Sequence, residues 1–140
     1  MRFSIKVKYG LQALLELAAN YDKKTLKIGE MANKQKIPIR YLEQLLLVLK
    51  RRDLVKSVRG KSGGYMLLKR PFEITMLDVV LAFEGAMEFC ACSSKVKKKN
   101  IVCEVLTEIE SCVKEKLSSI TLDDMLARDE KSKKLHTYNI

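Results

Sequence analysis

Pro38 does most to limit how this chain can fold. It follows a short apolar pattern, Ile28, Met31 and Ala32, and precedes a leucine row, Leu42, Leu45, Leu46 and Leu49. Proline fits the first turn of a helix and disrupts its interior, so Pro38 marks the start of a second helix close behind the first. The spacing predicts one helix over about 28–35 and another from Pro38 to about Arg52. Two helices joined by a turn of about three or four residues form a helix-turn-helix.

The period then changes. Leu54–Val58 and Tyr65–Leu68 read as short strands on either side of Arg59-Gly60-Lys61-Ser62-Gly63-Gly64. Glycines at the tip of a two-stranded ribbon supply the positive φ angles a hairpin turn requires. A basic hairpin directly after a helix-turn-helix is a wing, and Pro71 closes it. Upstream, Ile5, Tyr9, Leu14, Leu17 and Ala18 recur at helical spacing over residues 3–20. Downstream, a helix from about Thr75 to Glu84 is expected, with Thr75 as its cap, and then a loop over 85–101. Val105, Ile109, Val113 and Leu117 give a long helix over Ile101–Leu117, with Val102 and Leu106 in a flanking row. A short helix capped by Thr121 follows over 118–127, and beyond Arg128 a polar tail is expected to fray. The expected fold is mainly α with a small β-hairpin: a winged helix-turn-helix with an appended long helix.

Charge separates the two halves of the chain. Residues 1–73 hold 17 Lys/Arg and 6 Asp/Glu, a net of +11, and residues 74–140 hold 10 and 11, a net of −1. An excess confined to one half points to a polyanionic partner, and here to double-stranded DNA. The second helix would present Pro38, Ile39, Arg40, Tyr41, Glu43 and Gln44 to base edges. Arg40 suits guanine, Gln44 suits adenine, and Glu43 can accept from cytosine N4. Arg59 at the wing tip has the length and charge to enter a narrow minor groove. Lys56, Lys61 and the backbone N–H groups at Gly60 and its neighbouring glycines suit phosphates. Membrane binding is not expected: no apolar run reaches a bilayer span, and the basic residues line no single amphipathic helix. With no secretory leader at the N-terminus, the expected location is cytoplasmic. Gly60-Lys61-Ser62 imitates the end of a phosphate-binding loop, but the glycine required five positions earlier is Val55. Nucleotide hydrolysis is thereby excluded.

Four cysteines, Cys90, Cys92, Cys103 and Cys112, follow the pattern C-x-C-x10-C-x8-C. In an intracellular protein, metal or redox chemistry is the expected use rather than a disulfide framework. The pattern lacks a CxxC pair, which disfavours a zinc ribbon. Cys112 lies three positions after Ile109, on the apolar seam of the long helix, and is expected to be buried. Cys103 stands in the first turn of that helix, just after Lys97-Lys98-Lys99. A helix N-terminus and nearby ammonium groups both stabilise thiolate, the form that binds iron or reacts with oxidants. Cys90, Cys92 and Cys103 are the candidate ligands, with Glu104 or a residue of a second subunit as a fourth. A thiol enzyme is not expected, because no His or carboxylate falls in predictable reach of a cysteine.

Tyr9-Gly10-Leu11, Tyr41-Leu42-Glu43-Gln44-Leu45, Leu54–Gly60, Gly63-Gly64-Tyr65 and Ile120-Thr121-Leu122 together resemble the signature segments of the Rrf-two-type winged-helix regulators. That family includes an iron–sulfur cluster regulator, a nitric-oxide-sensing repressor and a cysteine-metabolism repressor. The resemblance runs from Met1 to about Leu126. It implies a homodimer joined through the long helix, bound to a pseudo-palindromic operator with recognition helices about 34 Å apart. It also implies that Tyr41, Glu43, Arg59 and Gly60 stand where relatives touch DNA. One domain over 1–128 is implied, with 1–73 reading DNA, 74–128 holding the cysteine loop and dimer helix, and 129–140 a polar tail. Cluster-binding relatives carry three cysteines before the long helix, which implies an iron–sulfur cluster here, of the 2Fe–2S rather than the 4Fe–4S type. This chain departs from that pattern: Ser93, Ser94 or the lysine run replaces the middle cysteine. The acidic residue that some relatives supply from the first helix is also missing, and Lys8 and Gln12 occupy that stretch. Two readings stay open: control by a cluster or by thiol redox state, and a cofactor-free regulator gated by a partner protein or metabolite.

Overall fold

In the computed structural model, which describes residues 2–90 and 100–138, Pro38 caps the helix it precedes. Helix α1 spans Ile5–Ala19, α2 Ile28–Gln35 and α3 Ile39–Arg51. Lys36 ends α2 in a left-handed conformation, with φ at 54°, and the Ile37 N–H donates to the Ala32 carbonyl at 3.0 Å. This left-handed cap turns the chain and buries Ile37, and α3 starts two residues later. Leu42, Leu45, Leu46 and Leu49 are all buried, as their spacing predicts. Leu42, Leu46 and Leu49, together with Leu14 and Leu17 of α1 and Met31 of α2, form the centre of the core.

Strands β1 (Val55–Val58) and β2 (Gly64–Leu67) pair antiparallel, with Val55 opposite Leu67 and Val58 opposite Gly64. The inner ends, Val55 and Leu67, are anchored in the core, and the outer ends project as a wing. A third segment steadies it. The Leu26 N–H donates to the Tyr65 carbonyl at 2.9 Å, and the Tyr65 N–H donates to the Leu26 carbonyl at 2.8 Å. Pro71 opens a single helical turn, Pro71–Glu73, that closes the hairpin.

Helix α4 spans Met76–Glu84, α5 Ile101–Ser118 and α6 Leu122–Tyr138. Thr75 caps α4 as expected, accepting from the Asp78 N–H while the Asp78 carboxylate accepts from the Thr75 N–H. Thr121 and Asp124 repeat this reciprocal cap at α6. The two starts are bound to each other: Met76 N–H donates to the Ile120 carbonyl, and Leu122 N–H to the Ile74 carbonyl.

Three expectations change here. The tail past Arg128 does not fray, because α6 continues to Tyr138. That stretch has no apolar stripe to signal a helix, but an Asp129–Lys133 pair at 2.9 Å supports it at i, i+4 spacing. Ile5 is 49% exposed, since α1 begins there beyond the edge of the core. Cys112 is exposed rather than buried. In α5 only Leu117 is buried, with Leu106 and Val113 half-buried, while Val105 and Ile109 face outward at 44% and 46% exposure. The seam that carries Cys112 is apolar but uncovered among the described residues. Of the loop expected over 85–101, residues 91–99 lie outside the described residues.

Candidate nucleic-acid interface

The buried leucines of α3 leave its opposite face to Arg40, Gln44, Leu47 and Arg51, all exposed. Glu43 is exposed on the flank nearer the wing, and Pro38 and Ile39 are exposed at the start of the helix. Tyr41 is placed differently from its neighbours. It is half-buried, and its ring stands edge-on to Tyr9 with centroids 5.9 Å apart and an 82° interplanar angle. Such a pair locks the first turn of α3 onto α1.

The wing lies beside this face. Lys50 of α3 donates to the Ser57 hydroxyl of β1 at 3.0 Å, tying the two elements together. Lys56, Arg59, Gly60 and Lys61 are exposed along the strand and its tip. Gly60 has a φ of 105°, and its carbonyl accepts from the Gly63 N–H at 2.9 Å to close the turn. The Thr25 hydroxyl donates to the Ser62 carbonyl at 2.6 Å, so the wing tip is held from the segment before α2. This tether joins residues 37 apart in sequence, and nothing in the local pattern reveals it. Among the described residues, Arg40, Arg51, Lys56, Arg59 and Lys61 form no ion pair. Cationic side chains left without internal acids suit an external polyanion.

The cysteines lie at the other end of the molecule's charge division. Cys90 and Cys103 are brought together, with their sulfurs 3.0 Å apart. Glu110 builds this approach from one side of α5. It accepts from the Phe89 N–H at 3.0 Å and from the Lys114 ammonium at 2.6 Å. The Lys114 hydrogen bond, and then that of Phe89, holds the Glu110 carboxyl below the usual carboxylate range. The tie therefore persists above that range and is lost as pH falls through the lowered value. Cys103 sits in the first turn of α5, where Asn100 accepts from the Val102 N–H at 3.0 Å. Cys92 and the lysine run lie outside the described residues. Among the described residues no group of three or more His, Cys, Asp and Glu converges as a metal site. On α1, Lys8 is exposed and Gln12 half-buried.

No helix among the described residues is long and apolar enough to cross a membrane. Residues 3–128 match the family model for Rrf2, described as an iron-dependent transcriptional regulator. An rrf2-like HTH-type transcriptional regulator of Rhodobacter capsulatus is 36% identical, with 93% of this chain and 95% of that protein aligned. The solved structure of CymR, the global cysteine regulator of Bacillus subtilis, has a TM-score of 0.78 at 32% identity, covering 91% of this chain and 98% of that one. The IscR of T. potens has a TM-score of 0.78 at 34% identity, covering 94% of this chain and 90% of that one. The chain belongs to the Rrf2 family of winged helix-turn-helix transcriptional regulators, which are DNA-binding proteins and not enzymes.

Proposed function

We propose that the protein is a homodimeric, sequence-specific DNA-binding regulator whose operator affinity is set by chemistry at Cys90 and Cys103. The observation that carries this reading is the division of labour between surfaces. Unpaired cations line α3 and the wing, and the converging thiols sit beside α5, away from that face in sequence and charge. Arg40, Glu43 and Gln44 would meet base edges, with Pro38 and Tyr41 setting the start of the helix. Arg59 would enter the minor groove, with Lys56, Lys61 and the Gly60 backbone N–H on phosphates. Arg59→Ala is expected to weaken operator binding by about 1–3 kcal/mol and to flatten its salt dependence. A gel-shift titration at several salt concentrations checks this, and unchanged affinity would remove Arg59 from the interface.

Dimerisation is supported by α5. Ile101, Val102, Val105 and Ile109 are 68%, 59%, 44% and 46% exposed and make an apolar stripe with no cover among the described residues. Such a stripe seeks a partner, and a second copy offers the same one. Beside it, Phe3, Val80, Met87, Phe89 and Leu106 line an apolar cleft of about 470 Å³. Ile109→Asp is expected to weaken the dimer at least about tenfold, by placing a charge in that stripe. Sedimentation velocity across a dilution series measures it.

The thiols decide the mode of control. Two soft sulfur donors converging at 3.0 Å fit part of a thiolate ligand set for an iron–sulfur cluster. Cys92, adjacent in sequence to this pair, would supply a third, and a cluster of the 2Fe–2S type fits so few cysteines best. When bound, such a cluster supplies a redox- and oxygen-sensitive group. The residues of the chain hold the ligands in place: Glu110 fixes the segment entering Cys90, and the cap of α5 fixes Cys103. The relatives divide on this point, since IscR and CymR both match the chain. Oxidation of the thiols alone is therefore the second reading, and the sulfur approach favours it equally. A cofactor-free regulator gated by a partner protein or metabolite would respond to neither treatment. Anaerobic reconstitution with iron and sulfide analysis separates the first from the other two, and the response of operator affinity to oxidant separates those two.

A further inference from the structure

Leu47 is the one residue on the outer face of α3 whose side chain has no polar group to offer. At about 100° per residue, it projects about 150° from the middle of the sector buried by Leu42, Leu45, Leu46 and Leu49. It is 49% exposed. Along the helix axis it lies about 10 Å past Arg40 and about 6 Å before Arg51. With Ile28, Glu43, Lys50 and Tyr65 it lines the shallow cleft between α3 and the base of the wing. A single exposed leucine on an arbitrary surface requires no explanation. This one sits on the face that Arg40 and Gln44 would turn toward base edges, with Lys50 and Arg51 on the phosphate side.

We infer that Leu47 reads the C5-methyl group of a thymine in the major groove, selecting a T·A pair at one position of each half-site. The inference rests on the DNA-binding reading above. Seated in the groove, the isobutyl group loses its water and must face a base edge. Against a donor or acceptor it would leave that group without a partner, at a cost. The thymine methyl is the only apolar group the major groove presents. Glu43 and Gln44, one turn earlier, would read the neighbouring pairs through polar edges.

The test begins by enriching duplexes from a random library on the full-length protein. Each thymine of the enriched half-site is then replaced by deoxyuridine, which pairs identically but lacks the methyl group. Burial of one methyl predicts that a single replacement weakens the native protein about fourfold. The same replacement should leave Leu47→Ala and Leu47→Gln unaffected, and Leu47→Gln should lose the preference for thymine there. Thermal melting verifies that both variants fold. If no uracil position weakens the native protein, or if the sensitive position stays equally sensitive in Leu47→Ala, the inference is overturned while DNA reading stands. If the library yields no enriched duplex at all, the DNA-binding reading itself fails and takes the inference with it.

Discussion

Gly64→Ala is expected to lower the melting temperature by several degrees and to cut operator affinity far more than its distance from the wing tip suggests. Gly64 has a φ of 151°, which an alanine adopts only under strain. A Cβ there would also stand 2.5 Å from the Leu26 carbonyl oxygen and 2.8 Å from its carbon. Both are backbone atoms, so no rotamer change relieves the clash. Relief requires the strand to move off the Leu26 segment, breaking the reciprocal 2.9 Å and 2.8 Å bonds between Leu26 and Tyr65. Two lost backbone bonds at about 1 kcal/mol each, plus the strain, give a destabilisation of about 2–4 kcal/mol. At roughly 3 °C per kcal/mol for a chain of this length, the melting point falls by about 6–12 °C. The wing, set adrift from α2, would no longer hold Arg59 in register with α3, and operator affinity should fall about a hundredfold. Gly60→Ala is the control. Its φ of 105° is also strained, but no atom lies within 4 Å of a Cβ at that position. It should cost about 1 kcal/mol and leave the wing anchored. Equal melting points for Gly64→Ala and the native protein would contradict the account of how the wing is held.

The features of the chain that depend on neighbours in sequence were legible before any coordinates. Pro38 and the leucine row specify α3 because a stop signal and a 3.6-residue period are both local. Thr75 announces a helix cap, and the glycines at 60, 63 and 64 announce a turn. What escapes the sequence is what covers a face. The spacing of Ile109 and Cys112 identifies an apolar seam on α5, but burial depends on a surface that one chain does not supply. The same limit hides the anchoring of the wing, because Leu26 and Tyr65 meet across 39 positions. The second half of α6, past Arg128, escaped for the opposite reason. That stretch has no apolar period, and its Asp129–Lys133 pair reads in sequence as an ordinary polar tail. At the candidate site, the recognition-face cations were readable from the position of α3 alone. Cys90 and Cys103 were grouped from the sequence as candidate ligands, but the tie beside them was not legible, since Glu110 takes the Phe89 N–H across 21 positions.

Cys103→Ala is expected to abolish iron uptake completely, and Cys90→Ala to do the same, while Cys112→Ala retains it. The three cysteines differ in placement rather than in kind. Cys90 and Cys103 lie 3.0 Å apart at the sulfurs, and Cys112 is exposed on the open stripe of α5. Cys103 has a further advantage as a ligand. Its place in the first turn of an 18-residue helix, beside the Asn100 cap, fixes its position. Removing the sulfur takes nothing from the core, since neither Cys90 nor Cys103 belongs to the buried cluster. Thermal melting of each variant verifies that it folds. Reconstitution under nitrogen, followed by absorbance and iron and sulfide determination, reads out the ligand set. Colour lost only in Cys112→Ala would move the site onto the dimer stripe and refute the assignment made here. If the native chain itself takes up no iron, the same variants decide the thiol reading. Oxidant should then change operator affinity in the native protein and in Cys112→Ala, and leave Cys90→Ala and Cys103→Ala indifferent. An oxidant response that survives in both of those variants would place control outside the pair, with a partner protein or metabolite.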